Sequence, residues 1–127
     1  MIRIEKLGNT WGDTFSLKDI SLDVEEGEYF VILGPTGAGK TLLLELIAGI
    51  YYPERGHIMI DGEDKTSRPP ERRNIGFMYQ DYSLFPHMDA KGNIEYGMRV
   101  RGIDPEERGR RLEELVGLLD ISSLLHR

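Results

Sequence analysis

Glycines at 34, 37 and 39 followed by a lysine and a threonine make the run Gly34, Pro35, Thr36, Gly37, Ala38, Gly39, Lys40, Thr41, a full match to the pattern of a phosphate-binding loop. The residue types explain the chemistry. Gly34, Gly37 and Gly39 are expected to take backbone conformations closed to residues with a β-carbon, so that successive N–H groups turn toward one anion. Lys40 adds a point charge for the β- and γ-phosphates of a nucleotide and is the first candidate catalytic group. Thr41 offers a hydroxyl to Mg²⁺, and Leu42, at the exit of the loop, is counted with the nucleotide-contacting residues.

Such a loop works only between a strand and a helix. Tyr29, Phe30, Val31, Ile32 and Leu33 form an unbroken apolar run ahead of it, which predicts a strand buried on both faces. Residues 42–48 predict a central, buried helix ending at Gly49, its positive dipole end directed at the bound phosphates. Upstream, residues 2–7 read as a first strand and 9–13 as a turn-rich stretch. Ile20, Leu22 and Val24 keep period two, so the chain opens as antiparallel sheet.

Further on, residues 57–60 predict a strand closed by a hairpin turn at Asp61 and Gly62. A proline- and arginine-containing loop over 67–73 leads to another strand at 75–79. Asp104, Pro105 and Glu107 supply an N-cap, a first-turn proline and the acid of a capping box. Leu112, Leu115, Val116 and Leu119 hold the spacing of an amphipathic helix, in which Gly109 and Gly117 each cost about 1 kcal/mol relative to alanine.

Composition narrows the partners. The 127 residues carry 16 basic and 22 acidic side chains, a formal charge of −6, which argues against nucleic acid as the main partner because phosphate backbones select basic surfaces. One domain is the most that this length supports. With no cysteine, disulfides and thiolate chemistry are excluded within these residues. No stretch approaches the roughly 18 apolar residues of a membrane span, and Met1 opens directly into the first strand, so a soluble, cytoplasmic protein is expected, any membrane role running through a partner.

Taken in order, Trp11, the loop at 34–41, the segment Tyr79, Gln80, Asp81, Tyr82, Ser83, Leu84, Phe85, Pro86, His87, Met88, and Asn93, Ile94, Glu95, Tyr96, Gly97 resemble the nucleotide-binding subunit of ATP-binding-cassette (ABC) transporters. The resemblance runs along the whole chain. The wording around Leu84 to His87 is similar to importers of sugars, polyamines and oxyanions, and that of residues 34–49 to archaeal molybdate and tungstate importers. The implied fold is α/β: a P-loop NTPase fold of the ABC type, with an antiparallel β subdomain and the start of a parallel-sheet core with flanking helices.

The resemblance also assigns roles. Gln80 would be the glutamine near the metal and attacking water, a neutral amide able to accept from one neighbour and donate to another. Trp11 would stack on adenine, with Phe15 as the alternative ring; a tryptophan filling sheet surface is the competing reading. Tyr82, Leu84, Phe85, Pro86 and Met88 would line a groove for a helix of the transmembrane permease, or pack locally beneath their loop. His87 has no second histidine or cysteine near it in sequence and is not read as a metal ligand. The cofactors implied are ATP and Mg²⁺, and the second partner is another copy of the ATPase subunit, head to tail.

A family member also needs a second acidic strand, a Leu-Ser-Gly-Gly signature and a switch histidine, none of which occurs in these residues. His57, Ile58, Met59, Ile60 and Asp61 imitate the acidic strand, but Gly62 stands where a glutamate belongs. The chain is therefore expected to be the N-terminal part of a nucleotide-binding domain, placed at the inner face of the membrane through the permease. It is expected to bind ATP without turning it over alone. The alternatives are an ATP-binding module that does not hydrolyse and another phosphate-loop enzyme such as a small-molecule kinase, which Gln80 and its neighbours disfavour.

Overall fold

Ile2–Trp11 (β1) and Phe15–Val24 (β2) form an antiparallel hairpin around the turn at Gly12, with Trp11 opposite Phe15 and Ile2 opposite Val24. The computed structural model describes residues 1–81 and 83–127. Strict alternation would put Ile4 and Leu7, three residues apart, on opposite faces of the sheet. Both are buried, because the register of β1 shifts between them and Lys6 takes a left-handed φ of 47°. Asp19, at φ 52°, lies likewise between Leu17, which is buried, and Ile20, which is partly buried against the same core. The stretch at 9–11, expected as turn, continues β1; Asn9 is buried there and its Oδ1 accepts from the N–H of Glu54 at 3.1 Å.

Arg55–Ile60 (β3) pairs with the other edge of β1, and Glu63–Asp64 (β4) follows, giving the order β2-β1-β3-β4, antiparallel throughout. Asp61 and Gly62, both with positive φ, make the expected two-residue turn between β3 and β4. The Asp61 carboxylate accepts from the Met1 ammonium at 2.8 Å and holds its pKa above the ordinary value, so Asp61 is a turn residue tied to β1 and not the end of an acidic metal-binding strand.

Lys40–Ala48 (α1) lays Leu43, Leu46 and Ile47 on the sheet, where they join Ile4, Leu7, Leu17, Ile58 and Ile60 in one core. Leu44 faces solvent, so the helix is apolar all round in sequence but buried on one side. The apolar run at 29–33 departs from expectation. It forms no strand, and Tyr29 and Leu33 are 93% and 87% exposed. A strand buried on both faces needs a ladder neighbour at each edge, and none pairs with it among the described residues. Residues 75–79 likewise form no strand, although Ile75 packs on the core.

Two compact units divide the chain, Met1–Phe77 and Met78–Arg127. The second contains Ala90–Val100 (α2) and Pro105–Leu119 (α3), which pack together. Asp104 caps α3 by accepting from the Glu107 N–H at 3.0 Å, as its sequence predicts. Glu107 does not complete the box; its carboxylate pairs with Arg111 and Arg110, which depress its pKa. Leu112 and Val116 are buried while Leu115 and Leu119 remain exposed. α2, not apparent from the sequence, starts at the Asp89 cap, and its first amides donate to the carbonyls of Arg127 and Leu125.

Candidate phosphate-binding site

Gly37 and Gly39 adopt φ 83° and 86°, the left-handed region, directly before α1. The left turn at Gly39 ends the loop and starts the helix without any side-chain cap, and the first turn carries no acidic residue. Leu43 N–H makes the first backbone bond into the loop, to Gly39 O at 2.9 Å. The N–H groups of Lys40, Thr41 and Leu42 lie ahead of it, where a helix has no internal acceptors to offer. An uncapped helix start with no competing carboxylate is a fitting seat for an anion.

Gly34 differs from its two partners. Its φ is not left-handed, and a β-carbon there would meet the Ala38 Cβ at 3.4 Å, an ordinary contact. What Gly34 contributes is its carbonyl: Lys40 Nζ donates to the oxygens of Gly34 and Pro35, each at 2.7 Å, and so spans the loop it terminates. Ala38 N–H donates to Pro35 O at 3.2 Å, tightening the turn. Pro35, Thr36 and Thr41 are exposed, the threonine hydroxyls among them free to meet ligand.

An aromatic cluster adjoins the loop. Gly39 is glycine for space as well as for φ: a β-carbon would lie 2.5 Å from Phe15 Cζ. The Phe15 ring in turn lies 6.0 Å from Trp11, tilted by 43°, and Trp11 meets Tyr51 edge to face at 6.1 Å. The loop, Phe15 and Trp11 are thus neighbours in space although the loop begins 19 residues after Phe15 and 23 after Trp11 in sequence. Tyr51 was not legible as a site residue, since nothing in its spacing marks it; the helix stop at Gly49, two residues before it, was the available signal.

Arg73 is the other residue that sequence reasoning passed over. It is 1% exposed, yet among the described residues no carboxylate bonds it. Its Nη1 donates to the carbonyls of Leu46 and Ile47 at 2.8 and 2.9 Å, Nη2 to Thr66 O and Nε to Arg68 O. Burial pushes its pKa down, opposed by Tyr52 and Asp64. The guanidinium therefore completes the C-terminal end of α1, where carbonyls lack partners and the helix dipole favours a cation.

In the second unit, Gln80 lies in an exposed turn after Tyr79. Tyr82 falls outside the described residues. Leu84 is 70% exposed, Pro86 and His87 are exposed, and Met88 is half-buried. Phe85 packs on Tyr96 with ring centroids 4.4 Å apart, with His87 5.9 Å away. Asn93 organises this segment: its Oδ1 accepts from the Phe85 N–H at 2.7 Å, and its Nδ2 donates to the carbonyls of Phe85, Met88 and Asp89. No helix among the described residues is long and apolar enough to cross a membrane.

Comparison with known proteins matches residues 17–127 to the family described as ABC transporter. The chain is similar to the molybdate/tungstate import ATP-binding protein of Pyrococcus abyssi, at 49% identity over all of this chain and 37% of that protein. It is similar also to the protein of the same name from Pyrococcus horikoshii, at 48% identity over all of this chain and 36% of that one. The chain thus spans little more than a third of the length of these relatives. Among solved structures, a dimeric ATP-binding cassette in a post-hydrolysis state bound to ADP and Pi superimposes with a TM-score of 0.85 at 25% identity, over 100% of this chain and 61% of that one.

Proposed function

This chain belongs to the ABC transporter family, and from that premise we propose that it forms the first part of an importer's ATP-binding subunit, which couples ATP binding and hydrolysis to solute uptake. The observation that carries the reading is the left-handed turn through Gly37 and Gly39 into an uncapped helix start, spanned by Lys40. Residues 34–42 hold the phosphates and Trp11 lies against the adenine. Molybdate or tungstate is the solute the relatives' names favour.

The donor set fits a nucleotide-borne Mg²⁺. Among the described residues no group of three His, Cys, Asp or Glu could cage a cation, which suits an ion that takes most of its ligands from phosphate and water. Thr41 would hold it from the loop; when bound it would neutralise charge on the phosphate oxygens. Lys40 exchanges its carbonyl partners for the phosphates and orients them. The whole protein hydrolyses ATP in a head-to-tail pair of subunits, while these residues alone bind and do not turn over. Residues 82–88 meet the membrane permease, which places the protein at the cytoplasmic face of the membrane.

Isothermal titration of ATP with and without Mg²⁺ tests the reading. Lys40→Ala should abolish binding while the circular dichroism spectrum stays native; unchanged affinity would refute the assignment of the loop.

A further inference from the structure

Helix α1 carries Lys40 at its first turn, and past its last turn it delivers an aromatic ring back to the neighbourhood of the loop. Gly49, at φ 85°, reverses the chain; its N–H donates to Leu46 O and that of Ile50 to Glu45 O at 2.9 Å. This left-handed cap sends Tyr51 toward the hairpin tip, where it meets Trp11 edge to face. Trp11 leans on Phe15, and Phe15 touches Gly39, which starts the same helix. The contacts close a ring: loop, helix, cap, Tyr51, Trp11, Phe15, loop. Arg73 fixes the cap within it.

The geometry is that of an indole whose tilt is set from two sides by rings tied to opposite ends of one helix. We propose that Tyr51 is a positioning residue for nucleobase recognition: it holds the Trp11 ring in the orientation that receives the adenine of a nucleotide whose phosphates lie at the loop. This rests on the nucleotide-binding reading above and assigns to Tyr51 a role in selecting the base and none in holding the phosphates. Tyr51 is 42% exposed, so its ring adds little to the core. An edge-to-face pair restricts tilt without covering the indole on all sides, and needs the ring of Tyr51 but not its hydroxyl.

The test compares the whole protein with its Tyr51→Phe and Tyr51→Ala variants, each titrated with ATP and with inorganic tripolyphosphate, which has no base. Near-ultraviolet circular dichroism, taken as a difference against Trp11→Phe, reads the indole itself. Tyr51→Ala should weaken ATP about fivefold, the value of one aromatic pair, leave tripolyphosphate unchanged and alter the Trp11 signal; Tyr51→Phe should match wild type in all three. Wild-type affinity for ATP in Tyr51→Ala, or equal losses for ATP and tripolyphosphate, would overturn the role of Tyr51 while leaving the loop assignment standing. A wild-type protein that binds neither ligand would overturn both.

Discussion

Arg73 fills the space that a side chain at Gly49 would need: a β-carbon there would lie 2.5 Å from Arg73 Nε. The two residues form one device, the glycine turning the chain left-handed and the guanidinium donating to the Leu46 and Ile47 carbonyls beside the turn. Gly49→Ala therefore meets both a strained φ and a displaced arginine. The strain alone costs about 1–2 kcal/mol, and the urea midpoint should fall accordingly. Arg73→Met, which keeps bulk but strips the donors from Leu46 and Ile47, should lower it too. A midpoint equal to wild type in either variant would show that the cap carries no stability.

At Gly39 the same substitution should act on ligand binding. Gly39→Ala forces a left-handed alanine against Phe15 Cζ, so the loop must open or the ring must move. Affinity for tripolyphosphate should fall about 5- to 30-fold, the equivalent of that 1–2 kcal/mol strain. Gly34→Ala, with an ordinary φ and an ordinary contact at Ala38, should lose less. Equal losses at the two positions would contradict the difference in their backbones.

Asn93 makes four hydrogen bonds to the segment before α2. Asn93→Ala should free the Phe85 and Met88 backbone at a cost of about 1–3 kcal/mol. Hydrogen exchange at the Phe85 amide should accelerate, with the α3 amides as the internal control. Protection that persists in the variant would mean the segment is held by something other than this side chain.

Leu84 stands 70% exposed at the same segment. Leu84→Ser should spare ATP affinity and weaken co-purification of the membrane subunit in a pull-down. Undiminished recovery would count against residues 82–88 as the permease contact.

Acid should loosen the β3–β4 hairpin. The Asp64 carboxyl is held below its ordinary value by the side chain and N–H of Thr66, with His57 a smaller contributor. A depressed carboxylate stabilises the fold above its unfolded pKa of about 3.9, and that contribution is lost as pH falls through the lower folded value. Unfolding midpoints measured from pH 6 downward should decline toward and below pH 4, and Asp64→Asn should flatten that part of the curve. An identical curve in the variant would remove Asp64 from the account.

The parts of this structure that are local were legible in the residues. Gly37 and Gly39, the stop at Gly49, the Asp61 and Gly62 turn and the Asp104 cap each follow from a residue acting within a few positions of itself, whereas Gly34, expected to need a glycine's conformation, does not take one. The other misses have one cause, dependence on distant partners. The run at 29–33 has the composition of a buried strand, yet no neighbour pairs with it among the described residues, so composition alone could not place it. Arg73 reads as a surface charge until α1 is seen to end beside it. Tyr51 gains meaning only from Trp11, 40 residues earlier in the chain.

Lys40 begins with two of its three ammonium N–H groups already bonded to the Gly34 and Pro35 carbonyls. Ligand capture is then a swap of partners and not the neutralisation of an idle charge. The gain from each new lysine–phosphate contact is the difference between two hydrogen-bonded states, while the two carbonyls revert to water. A neutral residue of similar length, as in Lys40→Met, would release those carbonyls beforehand, so the empty loop of that variant should already differ from wild type in its amide chemical shifts before any nucleotide is added.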